Sequence, residues 1–301
     1  MGDLQNGIVS LLNASVAPNT AAAYRTAINA FIQFSSEFSL PSALPISTHH
    51  VVLFISYCFE KGLSLKTINT YIAGLNYLHK LNGYNDLREP FIVKKMIEGC
   101  LRLRKQGDSR LPITIAILQD VCAVLTVICY NHYEACLFKA AYVLAFFGLF
   151  RVSELVVPSS LLTNRTLMRQ DVCIDSEYKY VSITLRVWKT NQSGPPTTLK
   201  IPKEKKAELC PVQAMREFLA LRPDNNGPLF CHASGYPVTR CQFSAVLAKC
   251  IRRVRPNCPN ITSHSFRIGQ ATHLAALGLS SDSIKTLGRW HSDAYKTYIR
   301  S

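Results

Sequence analysis

Ile261-Thr-Ser-His264-Ser-Phe-Arg267-Ile-Gly-Gln-Ala-Thr-His-Leu-Ala-Ala-Leu-Gly278 is the stretch on which the reading of this chain turns. Thr262 and Ser263 are good N-cap residues and Gly278 is a natural C-terminal stop. The spacing therefore predicts one helix with His264 and Arg267 in its first turns, on the same face. An imidazole and a guanidinium beside a helix N-terminus suit an anion. Downstream come Leu287-Gly288-Arg289-Trp290 and His291-Ser-Asp-Ala-Tyr295-Lys-Thr-Tyr298-Ile-Arg-Ser301. Ser292 and Asp293 read as the cap of a final short helix carrying Tyr295 and Tyr298.

Composition narrows the classes. The chain has 301 residues, 48% hydrophobic and 18% charged, which is globular and enough for two domains. Its net charge of +15 favours a polyanionic partner. The eleven cysteines include no Cys-x-x-Cys pair, so no structural metal site is expected. No signal peptide is visible, which sets the expectation of an intracellular protein whose thiols are mostly buried apolar groups. Met1-Gly2 lacks the Ser or Thr that myristoylation wants at position six, where Asn6 stands. The longest apolar run, Ala140 to Phe150, is too short to span a bilayer, so no membrane partner is expected.

Upstream, residues 1–107 read as helices. Asn19-Thr20 caps a run with Ala23, Ala27, Ile28, Phe31 and Phe34 at helical spacing. Ser47-Thr48 opens a second helix and Ser64 a third, and a fourth runs from Pro90 to Leu103. The third carries Lys66, Thr67, Asn69 and Thr70, either a solvated face or a face laid against DNA. Arg102 to Pro112 is a basic linker containing Arg104, Lys105 and Gly107. Net charge divides as +4 for residues 1–107 and +11 for 108–301. Thr114 then begins a helix. The next, Tyr133 to Phe150, is nearly all apolar and must be central. It leads into Gly148-Leu-Phe-Arg151-Val-Ser-Glu154-Leu. An arginine beside so buried a run needs a partner, and Glu154 is placed to supply it. Lys179 to Trp188 and Thr197 to Pro202 read as strands, with Lys189 at the shoulder of their turn. Helices follow over Pro211–Leu221 and Arg240–Arg253, the second ending in the basic cluster Arg252, Arg253 and Arg255.

Taken in order, His264-Ser-Phe-Arg267, Leu287-Gly-Arg-Trp290 and Tyr298 resemble the C-terminal box of the tyrosine recombinases. Gly148-Leu-Phe-Arg-Val-Ser-Glu-Leu resembles that family's first-arginine box, and Lys189 matches its mobile hairpin lysine. Thr20 with Tyr24, and Thr67 with Tyr71, resemble its helical core-binding domain. The Gly-Arg-Trp and Tyr-Ile-Arg wording looks most like the transposon-borne Crypton and DIRS-type enzymes. The resemblance implies a mainly α fold with a small antiparallel sheet (α+β). It would comprise a core-binding domain over 1–107 and a catalytic domain over 108–301.

The implied activity is site-specific DNA cutting and rejoining through a 3′-phosphotyrosyl intermediate, without metal or cofactor. In that scheme Arg151 and Arg267 clamp the phosphate, Lys189 protonates the leaving 5′-oxygen, and His264 exchanges a proton with Tyr298. Trp290 donates to phosphate, while Glu154 and His291 support the site. Counted from Leu287-Gly288, the family's His/Trp position falls on Arg289, so Trp290, Arg289 and His291 all stand as phosphate donors. Tyr295 stands as a second nucleophile candidate. Contacts to double-stranded DNA are expected from Thr20, Arg25, Lys66, Thr67, Asn69, Thr70, Arg102, Arg104 and Lys105. Self-assembly into a tetramer on paired sites is expected, and nuclear residence if the source is eukaryotic. The alternatives are a domesticated DNA-binding protein that no longer recombines and a type IB topoisomerase.

Overall fold

The computed structural model describes residues 2–104, 108–158, 162–163, 165–187, 194–258 and 260–300. The chain divides into two compact units, Met1–Gly107 and Asp108–Ser301.

The first unit is helical: α1 (Gly2–Ala14), α2 (Pro18–Glu37), α3 (Thr48–Glu60), α4 (Leu65–Leu81) and α5 (Phe91–Leu103). Ser47 and Ser64 cap α3 and α4 through their side chains, as their sequence positions predict. For α2 the expected Asn19-Thr20 cap is displaced by two residues. Ala17 is the N-cap and Pro18 takes the first turn, where its fixed φ is preorganised and its missing N–H costs nothing. Phe31, Phe34, Phe54, Ile55, Ile68, Ile72 and Leu75 form the core. Two polar side chains inside it are satisfied. His79 Nε2 accepts from the Ile46 amide at 3.0 Å, and Asn76 Oδ1 from the Leu87 amide at 2.8 Å.

The second unit is built around α7 (His132–Phe147), which follows α6 (Ile115–Ile128). Residues Ala135 to Phe146 of α7 are buried with the single exception of Lys139. The Tyr142 hydroxyl donates to Phe243 O at 3.0 Å, and its ring stacks on Phe266 at 5.3 Å, tying α7 to two later helices. The helix ends at Phe147, not Phe150. Leu149 adopts a left-handed conformation, φ 49°, and turns the chain into the single turn α8 (Val152–Leu155). A three-stranded antiparallel sheet follows, β1 (Val172–Ile174), β2 (Tyr180–Leu185) and β3 (Thr197–Pro202), in the order β1-β2-β3. Alternation buries Val181, Ile183 and Leu185 on one face of β2. Lys189 lies outside the described residues.

Helices α9 (Pro211–Leu221) and α10 (Arg240–Val254) complete the core. Then come α11 (Ser265–Ala276), α12 (Ser281–Gly288) and a 3-10 helix over Asp293–Tyr298. The cap of α11 is His264 itself, not Thr262 or Ser263. Thr262 instead receives the His264 amide on its hydroxyl at 3.3 Å and gives its own amide to Ser265 Oγ at 3.0 Å. Gly278 ends the turn after α11 at φ 79°, as its position predicts. Among the described residues no helix is long and apolar enough to cross a membrane.

Candidate active site

The site begins with Leu149. Its positive φ costs a β-carbon-bearing residue about 1 kcal/mol, and it aims the Leu149 carbonyl at two guanidiniums. Arg267 donates to it through one terminal nitrogen, and Arg289 through another at 3.2 Å. Arg289 reaches there from the C-cap of α12, where it too is left-handed at φ 56°. Both strained residues serve the same few ångströms of structure.

Glu154 is the anion of this cluster. Its carboxylate accepts from the Arg151 side chain at 2.9 Å, the Arg151 amide at 2.9 Å and Arg289 at 2.9 Å. Burial alone would push this carboxyl up, but Arg289 and then Arg151 outweigh it and hold the group below its ordinary range. The Arg151–Glu154 pairing expected from the sequence is present. The second partner, Arg289, was not anticipated from the sequence. Arg289 is 7% exposed and committed to Glu154 and to the carbonyls of Gly148 and Leu149.

Arg267 is fully buried. One terminal nitrogen goes to Leu149 and the other to Gly288 O at 2.9 Å, while Nε has no partner among the described residues. Its guanidinium lies 4.4 Å from the centre of the Trp290 ring and 5.5 Å from that of Tyr298. In this arrangement the expected phosphate clamp is closed off behind two aromatic rings. Burial and the charges of Arg151 and Arg289 lower its pKa; a guanidinium starts so high that it stays charged at neutral pH. Trp290 folds back over Gly288, where a β-carbon would sit 1.7 Å from the indole, so only glycine permits the contact.

Tyr298 completes the cluster. Its ring is 4.9 Å from His264 and 5.0 Å from Trp290. Tyr295 lies on the same 3-10 helix, but its ring is buried and its hydroxyl is hydrogen-bonded to Ser281 Oγ at 2.7 Å. Tyr298 faces His264 and Arg267, whereas Tyr295 is tied to α12. His291 is exposed. His264 titrates at about 4 because burial disfavours its charged form, and Arg110 and Arg267 add to the effect. It is neutral at physiological pH and able to accept a proton.

Arg110 and Asp108 were not expected here. The segment Leu111–Ile113 runs along the start of α11, with Leu111 N donating to Asn260 O at 3.1 Å and Ile113 N to Ser265 O at 3.1 Å. Gly269 makes the approach possible, since a β-carbon there would meet Ile113 O at 1.8 Å. This lays Arg110 and Asp108 near the His264–Tyr298 pair. Contacts between residues this far apart in sequence leave no local signal beyond the glycine.

In the first unit Arg25, Lys66, Asn69 and Arg102 are exposed, and Thr20, Thr67 and Thr70 are half-buried. Arg104 is bound to the carbonyls of Phe59 and Leu63 and stacks on Phe59 at 4.1 Å, closing the end of α3. Lys105 lies outside the described residues. No group of three or more metal-binding side chains occurs among the described residues.

Residues 11–82 match the family model of the phage integrase N-terminal SAM-like domain. None of the curated proteins matches the chain. Solved structures do. The Tn1549 transposon integrase in complex with circular intermediate DNA is 18% identical, with 94% of this chain and 95% of that chain covered and a TM-score of 0.59. The XerH site-specific recombinase bound to difH substrate, in a pre-cleavage complex, is 17% identical, covering 93% of this chain and 75% of that one, with a TM-score of 0.64. A lambda integrase dimer bound to a core site is 15% identical, covering 99% and 75%, with a TM-score of 0.63. The mostly helical architecture with its small antiparallel sheet is thus the tyrosine-recombinase fold, with a SAM-like N-terminal domain.

Proposed function

We propose that this chain is a site-specific DNA recombinase that cuts and rejoins DNA through Tyr298. The observation that carries the reading is the packing of the Tyr298 ring between His264 and Trp290 with Arg267 behind it. A DNA-binding module has no use for a tyrosine placed against a neutral imidazole and buried guanidiniums. The DNA-bound state of the structural relatives points the same way.

In the proposed step the Tyr298 oxygen attacks a backbone phosphorus and its proton passes to the His264 imidazole. The bond from phosphorus to the 5′-oxygen breaks, leaving a 3′-phosphotyrosyl link and a 5′-hydroxyl. Lys189 supplies the proton for that oxygen, a task for which an ammonium is suited and a guanidinium is not. Arg151 has an 18% exposed side chain and is the guanidinium open to a nonbridging oxygen. Arg267 acts as a fixed positive charge behind the nucleophile, and touches phosphate directly only when the Trp290 or Tyr298 ring shifts. Reversal by a second 5′-hydroxyl conserves the bond and exchanges strands.

The first unit, with Arg25, Lys66, Asn69 and Arg102 exposed, would contact the phosphate backbone of the duplex. Exchange between two duplexes calls for several protomers, a tetramer on paired sites. The Crypton and DIRS-type affinity rests on the wording around Gly288-Arg-Trp290 and Tyr298-Ile-Arg300 alone. Mobile-element integration or excision is the role it suggests, with nuclear action if the host is eukaryotic. Incubation with nicked element-end DNA tests the proposal: a denaturation-resistant protein–DNA adduct is expected, and DNA binding without adduct would leave the binding-module alternative standing.

A further inference from the structure

The segment after Tyr298 is tied down by a set of contacts that the proposed chemistry does not itself require. The Arg300 amide donates to Thr272 Oγ1 at 3.1 Å, and that hydroxyl donates to Tyr298 O at 3.3 Å. The Arg300 side chain turns back to the Thr297 carbonyl and reaches Asp108 Oδ2 at 2.8 Å. Asp108 is in turn gripped by Arg110, whose Nε and a terminal nitrogen fork onto the two carboxylate oxygens at 2.7 and 2.9 Å. The carboxylate is thereby fixed in orientation and, chiefly through Arg110, held well below its usual titration range. Tyr298 itself ends a 3-10 helix, a form with poorer hydrogen-bond geometry than an α-helix.

We propose that Asp108 is a positioning residue for Tyr298, holding Arg300 so that the tyrosine stays docked against α11 of its own chain. The inference rests on the reading of Tyr298 as nucleophile. Asp108 and Arg300 stand 192 positions apart, so the pair joins the first residue of the second unit to the segment that carries the nucleophile. Asp108 is exposed and Arg300 half-buried, and an ion pair so placed contributes little to global stability. Its effect is geometric: a displacement of the reacting oxygen by about 1 Å costs up to about a hundredfold in rate. A restraining latch, with Asp108 keeping Tyr298 away from DNA, would act in the opposite direction.

The test compares Asp108→Asn, Arg300→Gln, the double variant and Asp108→Glu with the wild-type chain. Two quantities are read: the rate of covalent adduct formation on nicked duplex at saturating DNA, and hydrogen exchange over residues 293–300 in the free protein. Each single variant is expected to be about tenfold slower, with the double no slower than the worse single, because both break one contact. Asp108→Glu should recover part of the rate. Affinity for DNA should not fall in Asp108→Asn, and tail exchange should rise in every variant but Asp108→Glu. A wild-type or faster rate in Asp108→Asn, or unchanged tail exchange, overturns the proposal. Failure of the wild-type chain to form adduct would instead sink the nucleophile reading, and the exchange arm would still decide whether Asp108 holds the tail.

Discussion

Arg289 donates to Glu154 at 2.9 Å across 135 residues, and the two side chains are 4% and 3% exposed. Glu154 also takes Arg151, so one carboxylate organises the start of the first-arginine turn and the end of α12. The cost of desolvating these charges is offset only while both arginines have their anion.

Glu154→Gln should therefore destabilise the second unit by about 3–5 kcal/mol, the penalty for leaving buried charge uncompensated. Urea denaturation at neutral pH measures it. The folded pKa of Glu154 lies below its unfolded value of about 4.3. Its contribution is thus present above that pH and disappears as pH falls through the folded value. The gap between wild type and Glu154→Gln should narrow in acid. An equal gap at pH 7 and pH 3 would contradict the ion-pair account.

His264 gives a second pH signature. It titrates at about 4 in the folded chain and at about 6.5 when unfolded. Between those values the unfolded chain binds the extra proton, so stability falls as pH drops from about 6.5 to about 4. His264→Gln should flatten that slope in a denaturation series. Because the imidazole is neutral down to about 4, it should not limit cleavage between pH 5 and 8.

Much of this site was legible in the residues. His264, Arg267, Trp290 and Tyr298 occur in an order that placed them together, and Arg151 with Glu154 could be paired from their spacing. The role of Arg289 could not. A left-handed C-cap turns it away from the neighbours its position suggests, toward a carboxylate far off in sequence. Asp108 and Arg110 looked like linker charge for the same reason, since their partners lie on α11 and beyond Tyr298. Burial was also hidden: nothing local says that Arg267 is fully enclosed. Of the elements, β1 is three residues long and too short for alternation to show, and it passed unrecognised.

Lys189→Ala should slow cleavage at a normal 5′-oxygen and hurt far less with a 5′-bridging sulfur, whose departure needs no proton. The measurement is the ratio of adduct-formation rates on the two substrates. Equal losses on both would remove Lys189 from the role of general acid.

DNA binding should be strongly salt-dependent, given a net charge of +15. A plot of log affinity against log salt should fall with a slope of several units, counting released counterions. A flat response between low and physiological salt would contradict binding through many phosphate contacts. Addition of EDTA should leave adduct formation unchanged, because every proposed step uses a side chain; a loss of activity would point to a required metal ion.

Mass spectrometry of a nuclease-trimmed adduct tests the central claim most directly, because it reads which side chain carries the phosphonucleotide. The account predicts Tyr298, whose ring faces His264 at 4.9 Å, with no adduct from Tyr298→Phe although that variant still binds DNA. Tyr295→Phe should still form adduct, since it loses only the hydrogen bond to Ser281, worth about 1 kcal/mol. A phosphonucleotide on Tyr295, or on no tyrosine, would contradict the account.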